Sequence, residues 1–482
     1  MAPEKKIVFI QEDIFPKPGA MYVSSVFRRH GWQVRCLVTS QEGDLAARLK
    51  ELAPSVAAFS LTSGEYAAWG SGAARLVKRV LPGCLVMLGG PHATYFPEVI
   101  EEAPFDLVCI GEGEAPAEEF CRRWEAGAPL HDIRGFWARR SGTVVRNEVC
   151  PLAEDLETLD FPDRLLYADY PFILKLSYSF VITSRGCPYR CSFCYNDSFA
   201  RLFKDKGRIF RRRPVDGVIR EIKELRRLLP WTRSVTFADD NFWCDSPGGW
   251  LAEFSEKYGR EVGLPFSCSA SAGWITEKTV RLLKSANCAS VKMGIETANE
   301  RVRREILKKP ATNAQIEAAA ALLHKHKIKF LTYNMLGIPT ETYQDALNTY
   351  ELNRKLGPLL AWCSLLNPYK GTAIADIALR EGCLPHGAEF SSSYFGETPM
   401  LFDRKADTVR LQKFFPVGVF LNIPVGAAGW LTRNIRAGWA YNLLFLFFYG
   451  LLIGRITGFT LRDIFIIVSR IKVFKYFGLS KR

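Results

Sequence analysis

The chain has 482 residues, enough for two or three domains, and its 48% hydrophobic content fits a packed globular protein without repeats or low-complexity tracts. Thirteen scattered cysteines, odd in number, follow an opening (Met1 to Lys6) with no secretory signal; this argues against a disulfide framework and for a reducing, cytoplasmic setting. The formal charge of +14 is unevenly placed: from Arg410 onward eleven basic residues face Asp463 alone, so the body is nearly neutral and the tail is the basic part.

Residues 5 to about 126 alternate short apolar runs with amphipathic segments. Ile7–Ile10, Val34–Val38, Val56–Leu61, Leu85–Leu88 and Leu107–Ile110 predict strands. Ala20–His30, Asp44–Leu52, Tyr66–Leu81 and Ala115–Trp124 predict helices. Such alternation predicts a Rossmann-like, doubly wound parallel sheet over residues 1–126, where ligands sit outside the carboxyl ends of the strands. The loops at those ends are Ser60-Leu61-Thr62-Ser63-Gly64, Gly89-Gly90-Pro91-His92-Ala93-Thr94 and Gly111-Glu112-Gly113-Glu114. Glycine lets backbone approach a ligand closely, and helix N-termini favour phosphate. In this order the three loops resemble the cobalamin-binding domain found upstream of many radical S-adenosylmethionine enzymes. The resemblance implies cobalamin contacts from Ser60, Thr62, Gly89, Gly90, Pro91, His92, Glu112, Gly113 and Glu114. One departure matters. Domains that bind cobalt through histidine carry Asp-x-His-x-x-Gly after the first strand, whereas Asp13-Ile14-Phe15-Pro16-Lys17-Pro18-Gly19 has no histidine. Cobalamin is therefore expected with its lower face unligated by histidine, and His92 as a polar loop residue near the nucleotide tail. A Rossmann-like domain without a cofactor is the alternative.

Residues 127–175 predict a linker: Ile133–Ala138 and Thr143–Arg146 form a hairpin around Ser141-Gly142, and an acidic stretch follows from Glu154 to Asp163. From Tyr178 to about Ala375 strands again alternate with helices, as expected for a partial (β/α)6 TIM-type barrel over residues 176–375. Directly after its first strand stand Cys187, Cys191 and Cys194, at Cys-x-x-x-Cys-x-x-Cys spacing. Thiolates hold iron–sulfur clusters; three ligands on one loop can cap three irons of a cubane and leave the fourth open for chemistry. The next cysteine, Cys244, lies far beyond the loop. A zinc loop is the alternative, but zinc sites want four ligands, usually as two pairs. The spacing, with Phe193 just before the last cysteine, resembles the signature of the radical S-adenosylmethionine enzymes.

That resemblance implies a [4Fe-4S] cluster on Cys187, Cys191 and Cys194, S-adenosylmethionine chelated at the open iron, and its cleavage to a 5′-deoxyadenosyl radical. It places Phe193 and Tyr195 beside the cofactor. Strand Ser234–Phe237 ends in Asp239-Asp240, and carboxylates at a barrel strand's carboxyl end point into the active site. In relatives this position resembles the site contacting the methionine or ribose part of S-adenosylmethionine, with capping as the alternative for each. Gly294-Ile295-Glu296-Thr297 is similar to the family's Gly-Ile-Glu-Ser beside the cofactor, followed by basic Lys308 and Lys309. Gly337-Ile338-Pro339-Thr340-Glu341-Thr342 is close to its Gly-Leu-Pro-Gly-Glu-Thr, and Asn367 to Thr372 resembles its Pro-Tyr-Pro-Gly-Thr turn. Ser271 stands where many relatives carry arginine. Arg208, Arg211, Arg212 and Arg213 in isolation look like a nucleic-acid patch, but no stacking aromatics are interleaved; they are expected as neighbours of the cluster loop, with no nucleic-acid partner.

Residues 376–482 predict a mainly helical tail. Phe414–Thr432 is uncharged but broken by Pro416 and Pro424, and Ala437–Gly454 is uncharged with Leu443–Tyr449 strongly apolar. A spanning helix needs about 20 apolar residues, so both are borderline. Apolar stretches punctuated by arginine and ending in Lys472, Lys475, Lys481 and Arg482 suit an interfacial anchor on the inner face of the membrane; a helical subdomain closing the barrel's open side is the alternative. Together these features predict a cobalamin-dependent C-methyltransferase acting on an unactivated carbon of a hydrophobic, lipid-like substrate. One S-adenosylmethionine methylates cobalamin, a second yields the radical, and an electron donor such as flavodoxin or ferredoxin supplies electrons. The rivals are an oxidative cyclase, a tRNA methylthiotransferase-like enzyme, and a non-catalytic cobalamin-binding membrane sensor.

Overall fold

A computed structural model describes residues 4–244, 249–385, 387–388, 398–457 and 459–470. The chain forms two compact units. The first comprises Met1–Leu176 and Arg201–Arg208 with the last described residues from Ile466; the second holds Ser177–Ala200 and Ile209–Phe465.

In the first unit, β1 (Lys6–Gln11), β2 (Gln33–Val38), β3 (Val56–Ser60), β4 (Leu85–Gly89) and β5 (Leu107–Cys109) are parallel in the order β2-β1-β3-β4-β5. This is the doubly wound sheet expected, with its switch point between β1 and β3. Both faces are covered, which is why these strands are apolar almost throughout. Val8 and Ile10 join the core with Phe59, Val86 and Phe105, while Phe9 meets Phe27 on the other side at a centroid distance of 6.4 Å. The hairpin β6 (Phe136–Arg140) and β7 (Thr143–Arg146) continues the sheet antiparallel from β5. The helix expected over Tyr66–Leu81 is interrupted at its start: Ser63–Glu65 and a π turn, Tyr66–Gly70, precede the regular helix Ser71–Val80. Gly70 sits against Leu61, where a Cβ would fall 2.4 Å from Cδ1.

The second unit holds β8 (Tyr178–Val181), the two-residue strands β9 (Ser184–Arg185) and β10 (Arg211–Arg212), β11 (Ser234–Phe237), β12 (Phe266–Ala270), β13 (Cys288–Glu296), β14 (Lys329–Leu336) and β15 (Leu360–Leu365). Apart from the β9–β10 pair, these strands form one six-stranded sheet, with neighbours in the order β15-β14-β13-β12-β11-β8. All of its pairings are parallel, and it is open between β8 and β15, an unclosed half-barrel. Helices cover its convex face. Phe237, Phe254, Tyr258 and Phe266 interlock there at centroid distances of 4.8 to 6.0 Å, and truncating a buried ring such as Phe254 costs about 3–5 kcal/mol.

Helix Lys405–Phe420 runs through Pro416 instead of breaking there and lays Leu411, Phe414, Phe415 and Val417 against Ala361, Cys363 and Leu365 of β15. Helix Gly438–Thr457 sets Leu452 against Leu331 and Leu360. Among the described residues no helix is long and apolar enough to cross a membrane. Lys472, Lys475, Lys481 and Arg482, expected at the membrane face, lie outside the described residues.

Thr340 holds φ +69°, a left-handed conformation that suits glycine and strains a β-branched residue. Among the described residues its side chain bonds to exposed Arg301 alone, at 3.1 Å. Thr340→Gly is expected to raise stability by about 1 kcal/mol, measured by thermal unfolding.

Candidate active site

The cluster loop leaves the carboxyl end of β8. Gly186 takes φ +80°, and a Cβ there would lie 2.2 Å from the Ile209 carbonyl oxygen, so only glycine lets β9 pair with β10 at this turn. Beyond it Ser192 is pinned three ways: its N–H donates to Leu307 O (3.0 Å), its hydroxyl to Ile306 O (2.6 Å), and its carbonyl accepts from Ile374 N–H (2.9 Å). The neighbouring Cys191 and Phe193 are thereby fixed, and Cys194 N–H closes the turn onto Cys191 O. Phe193 packs with Leu307, Ile338, Leu366 and Ile374. The Tyr195 ring lies 5.7 Å from Tyr369, and Ser198 donates to Gly371 O, so the Asn367–Thr372 turn buttresses the loop.

All three loop cysteines are free thiols, half-buried, and burial pushes Cys187 to about 11, Cys191 to about 12 and Cys194 upward. Thiols held protonated in this way lose their protons when a metal binds. Among the described residues no His, Cys, Asp and Glu side chains already converge as a metal cage. The thiols nevertheless lie close enough to raise one another's pKa, and the donor set suits a cluster carried on three sulfurs.

Around the loop, the two aspartates part company. Asp239 is buried, and its Oδ1 accepts from the backbone and hydroxyls of both Thr183 and Ser184, tying the end of β11 to the root of the cluster loop. Burial outweighs these bonds and lifts its carboxyl to about 6. Asp240 lies beside Asn196, and desolvation of its carboxyl pushes it up. Glu296 ends β13 at φ +68° and accepts a 2.6 Å bond from Lys309, whose charge also bears on Cys191. Lys308 is exposed and Lys309 turns inward. A Cβ on Gly294 would fall 2.4 Å from both Glu296 Oε1 and Lys309 Nζ. Those are flexible chain ends, so Gly294→Ala is expected to keep the fold while displacing the pair and weakening S-adenosylmethionine binding about tenfold, read by equilibrium binding.

In the first unit the three glycine loops lie side by side at the ends of β3, β4 and β5 and are bolted together. Leu61 N–H donates to Gly89 O, His92 N–H to Leu61 O, and Gly111 N–H to Thr94 Oγ1 (3.1 Å). Gly90 takes φ +88° with Leu61 and Ser60 atoms about 3 Å from where its Cβ would be. Thr62 makes a capping box with Glu65, and Lys17 binds Ser60 O and Glu65. Ser60, Gly89, Gly90, Glu112, Gly113 and Glu114 are half-exposed and Thr62 and Pro91 exposed, forming a shelf. His92 turns inward: its ring stacks on Tyr66 at 4.0 Å, Nδ1 meets Ser63 Oγ, and burial lowers it to about 4.

Residues 181–352 match the Radical SAM superfamily, and residues 10–121 match the B12 binding domain. The chain belongs to the cobalamin-binding radical S-adenosylmethionine enzymes. It is 29% identical over 379 residues to an uncharacterized methyltransferase of Pyrococcus horikoshii, covering 77% of this chain and 80% of that one. It is 26% identical over 348 residues to an anaerobic magnesium-protoporphyrin IX monomethyl ester cyclase of Cereibacter sphaeroides, covering 68% and 54%. Its fold matches the cobalamin-dependent S-adenosylmethionine radical enzyme OxsB with a TM-score of 0.69 at 14% identity, over 99% of this chain and 76% of that one. The cofactors of this radical S-adenosylmethionine enzyme are a [4Fe-4S] cluster, S-adenosylmethionine and cobalamin. The residues present fit them: three free thiols on one pinned loop, and a glycine shelf in which the buried Nε2 of His92 makes no hydrogen bond to a described residue.

Two further residues, Arg303 outside any sequence motif and Glu341 inside one, brace the backbone around Glu296. Arg303 is fully buried and binds Ile295 O, Thr297 O, Ala311 O and Asn313 Oδ1. Glu341, within the family-like Gly337–Thr342 segment, accepts from Gly337 and Ile338 N–H and from Thr297 Oγ1, linking β14's end to Glu296's neighbour. Burial lifts Glu341 to about 8. An arginine in a charged, helix-like run (Asn299–Ile306) carries no sequence signal for burial. The Glu341 motif was visible, but its partner was not.

Proposed function

We propose that this enzyme is a C-methyltransferase acting on an unactivated carbon of a hydrophobic, lipid-like substrate at the inner face of a membrane. The observation that carries the reading is the trio of thiols on a loop pinned through Ser192, in a chain that also has a B12 binding domain. When bound, the cluster supplies an open iron and an electron from a flavodoxin- or ferredoxin-class donor, and cobalamin supplies a methyl carrier. The chain's own residues place these groups. Cys187, Cys191 and Cys194 hold the cluster. Glu296, braced by Lys309, together with Asp240, Phe193 and Tyr195 flanks S-adenosylmethionine. The shelf of Ser60, Thr62, Gly89–Pro91 and Glu112–Glu114 holds the corrin, with His92 among the contacts of the nucleotide tail.

The membrane part rests on the C-terminal helices. Trp430, Trp439 and Phe447 are 56%, 70% and 66% exposed, beside exposed Arg433 and Arg436. The single acid from Leu411 to Arg470, Asp463, is buried against Ser177. An apolar, aromatic and cationic surface suits an anionic leaflet.

The test is anaerobic incubation of the reconstituted protein with trideuteromethyl S-adenosylmethionine and a lipid extract. Product gaining the label, with 5′-deoxyadenosine formed, supports methylation. Deoxyadenosine with an oxidised, unlabelled product favours the second reading, an oxidative cyclisation, which the relationship to the cyclase keeps open. Flotation with anionic vesicles tests the membrane contact, and protein left at the bottom of the gradient rejects it.

A further inference from the structure

With the half-barrel taken as the reaction chamber of that proposed activity, we infer that Lys292 anchors an anionic group, a carboxylate or phosphate, on an otherwise apolar substrate. Along β13, Val291, Met293 and Ile295 pack outward into the core under the helices. Lys292 and Gly294 therefore face the concave side. The same alternation settles the neighbouring strands. Cys268 and Ala270 of β12 lie in the outer core, leaving Ser269, which pairs with Lys292, on the concave side. Thr332 and Asn334 of β14 bond outward to Asn353, leaving Tyr333, which pairs with Gly294, on the concave side.

Lys292 stands on this face without a counter-charge. Its ammonium makes no hydrogen bond or ion pair with any described residue. Glu296, four residues further along the strand, is taken by Lys309. Desolvation pulls the Lys292 pKa down, offset only by the thiol of Cys268 behind the strand. A cation kept in such a recess costs free energy until an anion arrives. The Tyr333 hydroxyl makes no hydrogen bond to a described residue either, and burial raises it to about 12, so it stays a donor at neutral pH. Trp362, which pairs with Tyr333 and is half-buried beside Tyr449, adds apolar surface on the same face. One cation and one hydroxyl on an apolar wall select an amphiphile with an acidic end, since a few placed polar groups in an apolar pocket set orientation.

The experiment titrates decyl phosphate, decanoate and decanol, below their micelle concentrations, into full-length cluster-loaded protein by calorimetry. The two anions are expected to bind at least tenfold more tightly than decanol. Lys292→Met should weaken the anions about tenfold and leave decanol alone, while Lys292→Arg retains them. The ratio of phosphate to decanoate affinity identifies which acid is recognised. Decanol binding as well as the anions, or anions binding Lys292→Met as they bind wild type, overturns the inference. If Lys292→Met fails to hold a cluster, Tyr333→Phe replaces it: selective loss of the anions supports the anchor, and unchanged affinity overturns it. Binding is read without turnover, so absence of methyl transfer in the wild type removes the functional reading while leaving this result intact.

Discussion

Replacing Cys191 by Ala in the full chain is expected to give a folded protein that holds no four-iron cluster, with S-adenosylmethionine cleavage down by at least about a thousandfold, ~4 kcal/mol in the barrier. The fold survives because the thiol is only half-buried and the turn is held by backbone bonds rather than by sulfur. The chemistry does not survive because the loop itself offers no sulfur beyond those of Cys187 and Cys194. Ser192 is clamped to Leu307 and Ile374, so the loop cannot slide to bring another residue into the same place. Cys268, Cys288 and Cys363 are buried in strands of the sheet. Cys191→Ser is expected to fail as well, since a hydroxyl is a poor substitute for a soft thiolate toward iron. Iron and sulfide content, the EPR signal of the reduced protein and 5′-deoxyadenosine formation measure the outcome. A variant that keeps full biological function without a cluster points to a cobalamin sensor instead of an enzyme.

How legible this was from sequence differs by contact range. The five parallel strands of the first unit and four of the six in the half-barrel were visible because strand alternation and loop glycines are local; β12 (Phe266–Ala270) and β15 (Leu360–Leu365) were not. The cysteine spacing was visible for the same reason. What stayed hidden depended on residues distant in the chain. His92 looks like a loop residue, yet Tyr66, twenty-six positions earlier, draws its ring inward. Lys308 and Lys309 are equivalent as letters, and only the φ of +51° at Lys308 and the carboxylate of Glu296 separate them. Pro416 reads as a breaker, but its helix continues because the apolar stripe of Leu411, Phe415 and Val419 is buried on both sides of it; tertiary packing outweighs the roughly 3 kcal/mol that proline costs.

Arg303→Met is expected to be the most destabilising single change in the second unit, by about 3–5 kcal/mol. The guanidinium is wholly buried and no carboxylate of the described residues is bonded to it, and burial lowers its pKa to about 10, so it stays charged at neutral pH. It is satisfied by geometry: Nε to Ile295 O at 3.1 Å, one terminal nitrogen to Ala311 O at 3.0 Å, the other to Thr297 O and Asn313 Oδ1. Methionine removes the charge and leaves these acceptors dry, at about 1–3 kcal/mol each. Lysine does not rescue, because a point ammonium cannot reach acceptors arranged for a planar fork. Two of those carbonyls belong to the residues on either side of Glu296, which holds φ +68°, a conformation costing a non-glycine residue about 1–2 kcal/mol. Arg303 thus fixes the backbone that turns Glu296 toward Lys309 and the cluster loop. Thermal unfolding and S-adenosylmethionine affinity should fall together in Arg303→Lys, whereas a milder lesion such as Gly294→Ala loses affinity alone. An Arg303→Lys protein as stable as wild type, with unchanged affinity, shows that the turn at Glu296 holds itself without the clamp.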